Sequence, residues 1–261
     1  MAARRVASTM MLGLSGLVAL GLVGAAATER RQALWGVVQL CVADTQTTGS
    51  AFPCLAVDLA QGVQRGYVVL RPPVGRPDTI LSPTRESIGI EDPELLSAQA
   101  PNYFAAAWNA RRLAPNAESR IAEPDAFALG VNSRFARAQD QLHIHIGCLR
   151  RAPRLRLRAL AGKLAVGVWS RQDSLIPGHE SWIFRTGEND IDRLRPFELV
   201  AQQVSKRPWG DIDEITLGVA PVKIGAATEF VLFAFPSLGL RPYLDVDAAD
   251  FIDSRCGATD E

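Results

Sequence analysis

Two of the chain's three histidines stand one residue apart in the segment Gln141-Leu142-His143-Ile144-His145-Ile146-Gly147-Cys148. Side chains along a β-strand alternate between its faces. The spacing therefore predicts Gln141, His143 and His145 on one face, with Leu142, Ile144, Ile146 and Cys148 on the other. Neighbouring imidazoles suit phosphate chemistry: one ring can attack phosphorus while the other hydrogen-bonds a phosphate oxygen. The preceding loop carries Asn132, Ser133, Arg134, Arg137 and Gln139, which are two guanidinium groups, a hydroxyl and two amides. A guanidinium binds two phosphate oxygens with its planar fork. Donors of this kind neutralise charge on non-bridging oxygens during phosphoryl transfer.

The same residues fit a second chemistry. Two histidines on one strand with a distant third ligand, His179 or Glu180, make a familiar zinc arrangement. Spacing alone leaves both open. A third reading makes the pair structural, satisfied by hydrogen bonds, and the two-arginine loop beside it argues against that.

These side chains need a frame. Strands are expected at Tyr67–Leu70, Thr79–Pro83, Ala126–Val131, Leu142–Leu149, Trp182–Arg185, Ile215–Val219 and Phe230–Phe235, from their apolar and β-branched content between turn residues. Helices are expected over residues 32–42, from Asn102 as cap, and over residues 190–204. Strands interrupted by single helices imply an α+β architecture. The order strand, helix, strand, strand occurs in both halves and predicts a C-terminal half of related architecture.

Charge excludes one class of partner. The 28 basic and 28 acidic residues cancel and the isoelectric point is near 6.8, so no global field points to nucleic acid. Any anion site must be built locally.

Arg4 and Arg5 precede an uncharged stretch, residues 6–28, long enough to cross a bilayer as a helix. Basic residues before the span favour a cytoplasmic N-terminus. Ala25-Ala26-Ala27 would alternatively suit cleavage of an export signal, but the apolar run is longer than a usual signal core. The expectation is an uncleaved transmembrane helix in residues 1–31, a catalytic half in 32–150 and a second α+β half in 151–261. It describes a single-pass inner-membrane protein with its catalytic domain on the periplasmic side. Four cysteines in an exported chain suggest two disulfides. Of the three pairings, Cys41–Cys54 and Cys148–Cys256 are expected. Arg150, Arg151, Arg154, Arg156 and Arg158 form a basic run, read as a solvated edge or helix face or as a surface for anionic headgroups.

From Gly66 to Cys148, and more loosely to Cys256, the chain resembles the bacterial CDP-diacylglycerol pyrophosphatases of the histidine-triad superfamily. The resemblance rests on Gly66-Tyr67-Val68-Val69-Leu70, Pro83-Thr84, Ile88-Gly89-Ile90-Glu91, Pro101-Asn102-Tyr103-Phe104 and Ala107-Trp108-Asn109-Ala110-Arg111. It continues in Asn132-Ser133-Arg134, Arg137, Gln139, His143-Ile144-His145-Ile146-Gly147-Cys148 and Gly178-His179-Glu180. All four cysteines fall where that family has them.

The resemblance implies a histidine-triad-like antiparallel sheet with packed helices and hydrolysis of CDP-diacylglycerol to CMP and phosphatidate, without a cofactor or metal. His143, at the middle triad position, would attack the phosphorus attached to cytidine and leave a cytidylyl-histidine. His145 and Gln141 would bind non-bridging oxygens. Asn132, Ser133, Arg134, Arg137, Gln139 and Thr84 would hold the substrate. The first triad position is Gln141 here, which cannot carry a proton, so His179 is the candidate for protonating the leaving group. The partners implied are a nucleotide-activated phospholipid and a membrane. Alternatives on the same residues are transfer of CMP to an acceptor other than water, a zinc-dependent phosphoesterase using His143, His145 and His179, and a non-catalytic nucleotide-binding module.

Overall fold

A computed structural model describes residues 30–72, 78–206, 209–237 and 245–257. Residues 30–48 form helix α1. Strands β1 (Ala56–Asp58), β2 (Tyr67–Leu70) and β3 (Thr79–Pro83) follow, then helix α2 (Tyr103–Asn109) and strands β4 (Phe127–Val131) and β5 (Ile144–Leu149). Helix α3 (Arg151–Ala161) leads into β6 (Trp169–Gln172), β7 (Ser181–Arg185), α4 (Pro196–Val204), β8 (Ile215–Ile224) and β9 (Ala227–Pro236). Helix α5 (Ala248–Phe251) and β10 (Ile252–Asp253) close the described chain.

Among the described residues the strands make one ten-stranded sheet in the order β1-β2-β3-β5-β4-β8-β9-β7-β6, with β10 pairing β5. All strand pairs are antiparallel. The sheet is continuous across the two halves, and both halves follow strand, strand, helix, strand, strand. One face carries the main core. There Ile144, Ile146, Leu129, Leu81, Leu217 and Leu232 meet α2 and α4, and Phe104 packs on Phe197 with ring centroids 5.0 Å apart. Asn102 caps α2 by accepting from the Ala105 amide, and its own amide donates to the carbonyls of Ile191 and Leu194. One side chain thus joins the two halves.

The opposite face is divided. Leu34, Val38, Cys41 and Val42 of α1 cover Val68, Leu70 and Ile80 on β2 and β3. Phe251, Ala248 and Leu157 of α5 and α3 cover Ala128, Ala220 and Phe233 on β4, β8 and β9. Strand β5 runs along the seam between these two clusters. Disulfides Cys41–Cys54 and Cys148–Cys256 join as expected. The first ties α1 to the approach to β1 across a separation of 13 residues. Closing a loop of that size contributes about 3 kcal/mol in the chain-entropy view.

Among the described residues no helix is long and apolar enough to cross a membrane. Helix α1 buries one stripe and leaves Gln32, Gln39 and Gln46 exposed, the pattern of a helix lying on a sheet. This corrects two expectations. The fold is α+β with no membrane-spanning element among the described residues, and the single-pass inner-membrane placement has no span to rest on there. The stretch expected to cross, residues 6–28, lies outside the described residues. Other differences are local. Strand β5 begins at Ile144 rather than Leu142, and β8 and β9 run on for ten residues each. The basic run forms α3, with Arg154 and Arg158 turned onto the buried carboxylate of Asp125.

Candidate active site

Register places the histidines. On β5, His145 lies between Ile80 of β3 and Gly130 of β4. Ile80 belongs to the cluster under α1, while a β-carbon on Gly130 would come within 2.9 Å of the Phe251 ring on α5. His145 therefore sits at the seam, and Gly130 is bare because α5 approaches so closely. His143 directly precedes the strand and remains partly exposed. The two rings are adjacent, with centroids 5.0 Å apart and planes inclined at 66°.

The His143 ring has a fixed orientation. Its Nδ1 lies 2.8 Å from the backbone oxygen of Gln141. A carbonyl oxygen only accepts, so Nδ1 carries the proton and donates it, and Nε2 holds the free lone pair. Burial disfavours the charged ring and His145 adds to that effect, so the pKa falls from 6.5 to about 4. The ring is neutral at neutral pH, with the lone pair of Nε2 fixed in direction. His145 is held differently. Its Nδ1 is 3.3 Å from a carboxylate oxygen of Asp78, and its Nε2 is buried without a hydrogen-bond partner.

Gln141 does not line up with the histidines. Its side chain is fully buried. Its amide nitrogen donates to Ser82 Oγ and to the carbonyls of Pro83 and Arg85, and its oxygen accepts from the Ser87 amide. Every function of that amide is used in tying the loop before β5 to the end of β3. Its part in the site comes from its backbone carbonyl on His143.

The loop residues divide into those held near the histidines and those held elsewhere. Arg137 is only 8% exposed and grips Glu91 with two bonds of 2.8 and 2.6 Å, with Asp140 at 3.2 Å from its Nε. It passes over Gly89, where a β-carbon would lie 2.0 Å from its guanidinium. The Gly89-Ile90-Glu91 segment thus makes room for this arginine and supplies its counter-ion. The positive charge of Arg137 adds a smaller contribution to the lowered pKa of His143. Arg134 is 42% exposed and binds Asp213 and Glu214 before β8, with its guanidinium over the Phe135 ring. Asn132 accepts from the Ala248 amide and anchors α5. The Ser133 backbone amide donates to Thr216 Oγ1, while its own hydroxyl is buried without a partner. Gln139 accepts from the Leu34 amide and donates to the Arg30 carbonyl, and Asp140 pairs with Arg31, so both clamp the start of α1.

Two expected residues lie apart. Thr84 donates to the Val63 carbonyl and faces a separate cavity of about 530 Å³ beside Trp35, Gln39 and Gln64 of α1 and the loop after β1. His179 precedes β7, four strands from β5. At about 4.8 Å per strand spacing that is roughly 19 Å. The zinc reading with His143, His145 and His179 together is corrected by this distance. Among the described residues no three His, Cys, Asp or Glu side chains converge as a metal-binding group. His179 is equally too remote to protonate a leaving group at His143. Sequence reasoning missed Asp78, Glu91 and Asp140. Glu91 lay within a motif of the resemblance, but nothing in the sequence paired it with Arg137.

Comparison with known proteins gives the family. The family model for CDP-diacylglycerol pyrophosphatase matches residues 29–260. A CDP-diacylglycerol pyrophosphatase of Yersinia pestis is 32% identical over 189 residues, covering 72% of this chain and 71% of that protein.

Proposed function

The chain belongs to the CDP-diacylglycerol pyrophosphatase family, and on that premise we propose that it hydrolyses CDP-diacylglycerol through covalent catalysis by His143. The reaction yields CMP and phosphatidate. Nε2 of His143 attacks the phosphorus attached to cytidine, a P–N bond forms, and the P–O bond to phosphatidate breaks. Water then attacks the cytidylyl-histidine. The P–N bond breaks, CMP leaves, and the water's second proton passes to solvent. Two modest displacements replace one difficult one.

The carrying observation is the 2.8 Å contact of His143 Nδ1 with the Gln141 carbonyl. It leaves Nε2 as the available nucleophile, and the depressed pKa keeps that nitrogen unprotonated at neutral pH. Arg137 supplies positive charge beside the reacting phosphates, and the buried Ser133 hydroxyl supplies a further donor. Arg134, at the edge of the same loop, meets the diphosphate at its outer end. The alternation His143-Ile144-His145-Ile146 supports a histidine-triad-like site in which the first triad residue acts through its backbone. Residues 32–150 carry the chemistry, and residues 151–261 complete the sheet.

The test uses CDP-diacylglycerol labelled in the α-phosphate, presented in detergent micelles and quenched without acid. Label is expected on His143 in the wild-type protein, with CMP and phosphatidate as products. His143→Ala is expected to keep its circular dichroism spectrum and lose both label and CMP release. An active His143→Ala protein would refute the proposal.

A further inference from the structure

His145 is held by a residue that the sequence did not single out. Thr79 pairs with Ile146, so continuing the ladder by one residue puts Asp78 level with Gly147. Gly147 has no side chain, and a β-carbon there would meet Ile252 Cγ2 at 2.6 Å. The Asp78 carboxylate extends past it to His145 Nδ1 at 3.3 Å, with both side chains 14% exposed. The pair borders a cavity of about 10 Å³ shared with Ala248, Ala249 and Ile252. That volume admits at most one water, so bulk solvent does little to screen the contact.

The two neighbouring rings thus have opposite partners. His143 faces a carbonyl, which fixes a neutral tautomer. His145 faces a carboxylate, which accepts a hydrogen bond from a protonated Nδ1. The remaining nitrogen, His145 Nε2, is buried with nothing to bind. Buried polar atoms in folded proteins nearly always have partners. An orphan nitrogen beside a nucleophile, with its ring 5.0 Å from the His143 ring, is a place prepared for a ligand atom.

We propose that Asp78 is a positioning residue that orients His145 through Nδ1 and supports it as an imidazolium, so that Nε2–H donates to an oxygen of the nucleotide phosphate. The inference rests on His143 as the nucleophile. It assigns to Asp78 and His145 the charge stabilisation that Gln141, with its amide fully engaged, does not supply.

The chain has three histidines, so ring nitrogens can be observed individually by long-range 1H–15N spectroscopy. With CMP bound, His145 is expected to be protonated at both nitrogens in the wild type and to lose that signature in Asp78→Ala. For CDP-diacylglycerol turnover, Asp78→Asn is expected to lower kcat about 10- to 100-fold, the usual effect of removing a residue that orients a functional histidine, with KM within about 3-fold. Asp78→Glu is expected to recover part of the loss. A wild-type His145 that stays neutral with CMP bound overturns the inference, and this readout does not depend on a variant that folds. So does an Asp78→Asn enzyme with wild-type kcat. His143→Ala separates the two levels. If it is inactive while Asp78→Asn is normal, only the role of Asp78 fails. If it is active, the reading of the whole site fails.

Discussion

Gly130 of β4 lies directly opposite Gly218 of β8, and the sheet repeats itself outward from that pair. Gly130 is paired on its other side with His145, and Gly218 with Phe233. Two residues earlier in the chain the counterparts are His143, just before β5, and Val231 on β9. Phe233 and Val231 are fully buried in the cluster beneath α3 and α5. The second half therefore repeats the frame but fills the positions of the imidazoles with hydrocarbon. A β-carbon on Gly218 would fall 2.0 Å from the Phe233 ring, so the space a ligand would need there is taken by packing.

One site per chain follows. Covalent labelling with α-phosphate-labelled substrate should saturate at one cytidylyl group per polypeptide. Intact-mass spectrometry of quenched protein measures this directly. A second adduct, or an adduct that survives His143→Ala, would contradict the asymmetry between the halves.

The His143 ring sets a pH dependence. Its pKa is lowered from 6.5 to about 4, chiefly by burial. Between these values the unfolded chain binds a proton that the folded ring refuses, so this group's contribution to stability falls as pH drops from about 6.5 to about 4 and rises as pH is raised through that window. A ring titration followed by NMR should place the His143 midpoint near 4, with midpoints above 6 excluded. His143→Ala should flatten the corresponding part of the dependence of Tm on pH.

The two loop arginines should behave differently. Arg137 is nearly buried among Glu91 and Asp140, and deleting Glu91 removes its two-bond partner and leaves Asp140 alone to face the guanidinium. Glu91→Ala should cost about 1.5–3 kcal/mol of stability, the range for hydrogen bonds to a charged group, and Arg137→Ala should combine a stability loss with a marked fall in kcat. Arg134 makes exposed pairs with Asp213 and Glu214. Arg134→Ala should cost about 1 kcal/mol or less. Urea unfolding of the variants checks the ranking, and equal costs at Arg134 and Arg137 would contradict it.

Much of this was legible from local pattern. Alternation announced the strand that carries His145 and that His143 directly precedes, because a two-residue period is a property of the backbone. Asn102 was legible as a helix cap, and the cysteine pairs were met as expected. The family was legible because its motifs are runs of neighbouring residues. The sequence by itself therefore determined which side chains could do chemistry and the order of most elements.

What tertiary structure decided was which of those side chains meet. Gln141 reads as a third member of the histidine face, but the chain enters β5 only at Ile144, and the glutamine amide is drawn to donors and acceptors at the end of β3. His179 reads as a partner, yet the strand order puts it four strands away. Nothing in the sequence paired Asp78 with His145 or Glu91 with Arg137; register and close packing brought them together. The physical reason is the same in each case. Side-chain periodicity is local, but strand order and the satisfaction of buried polar groups depend on residues far apart in the chain.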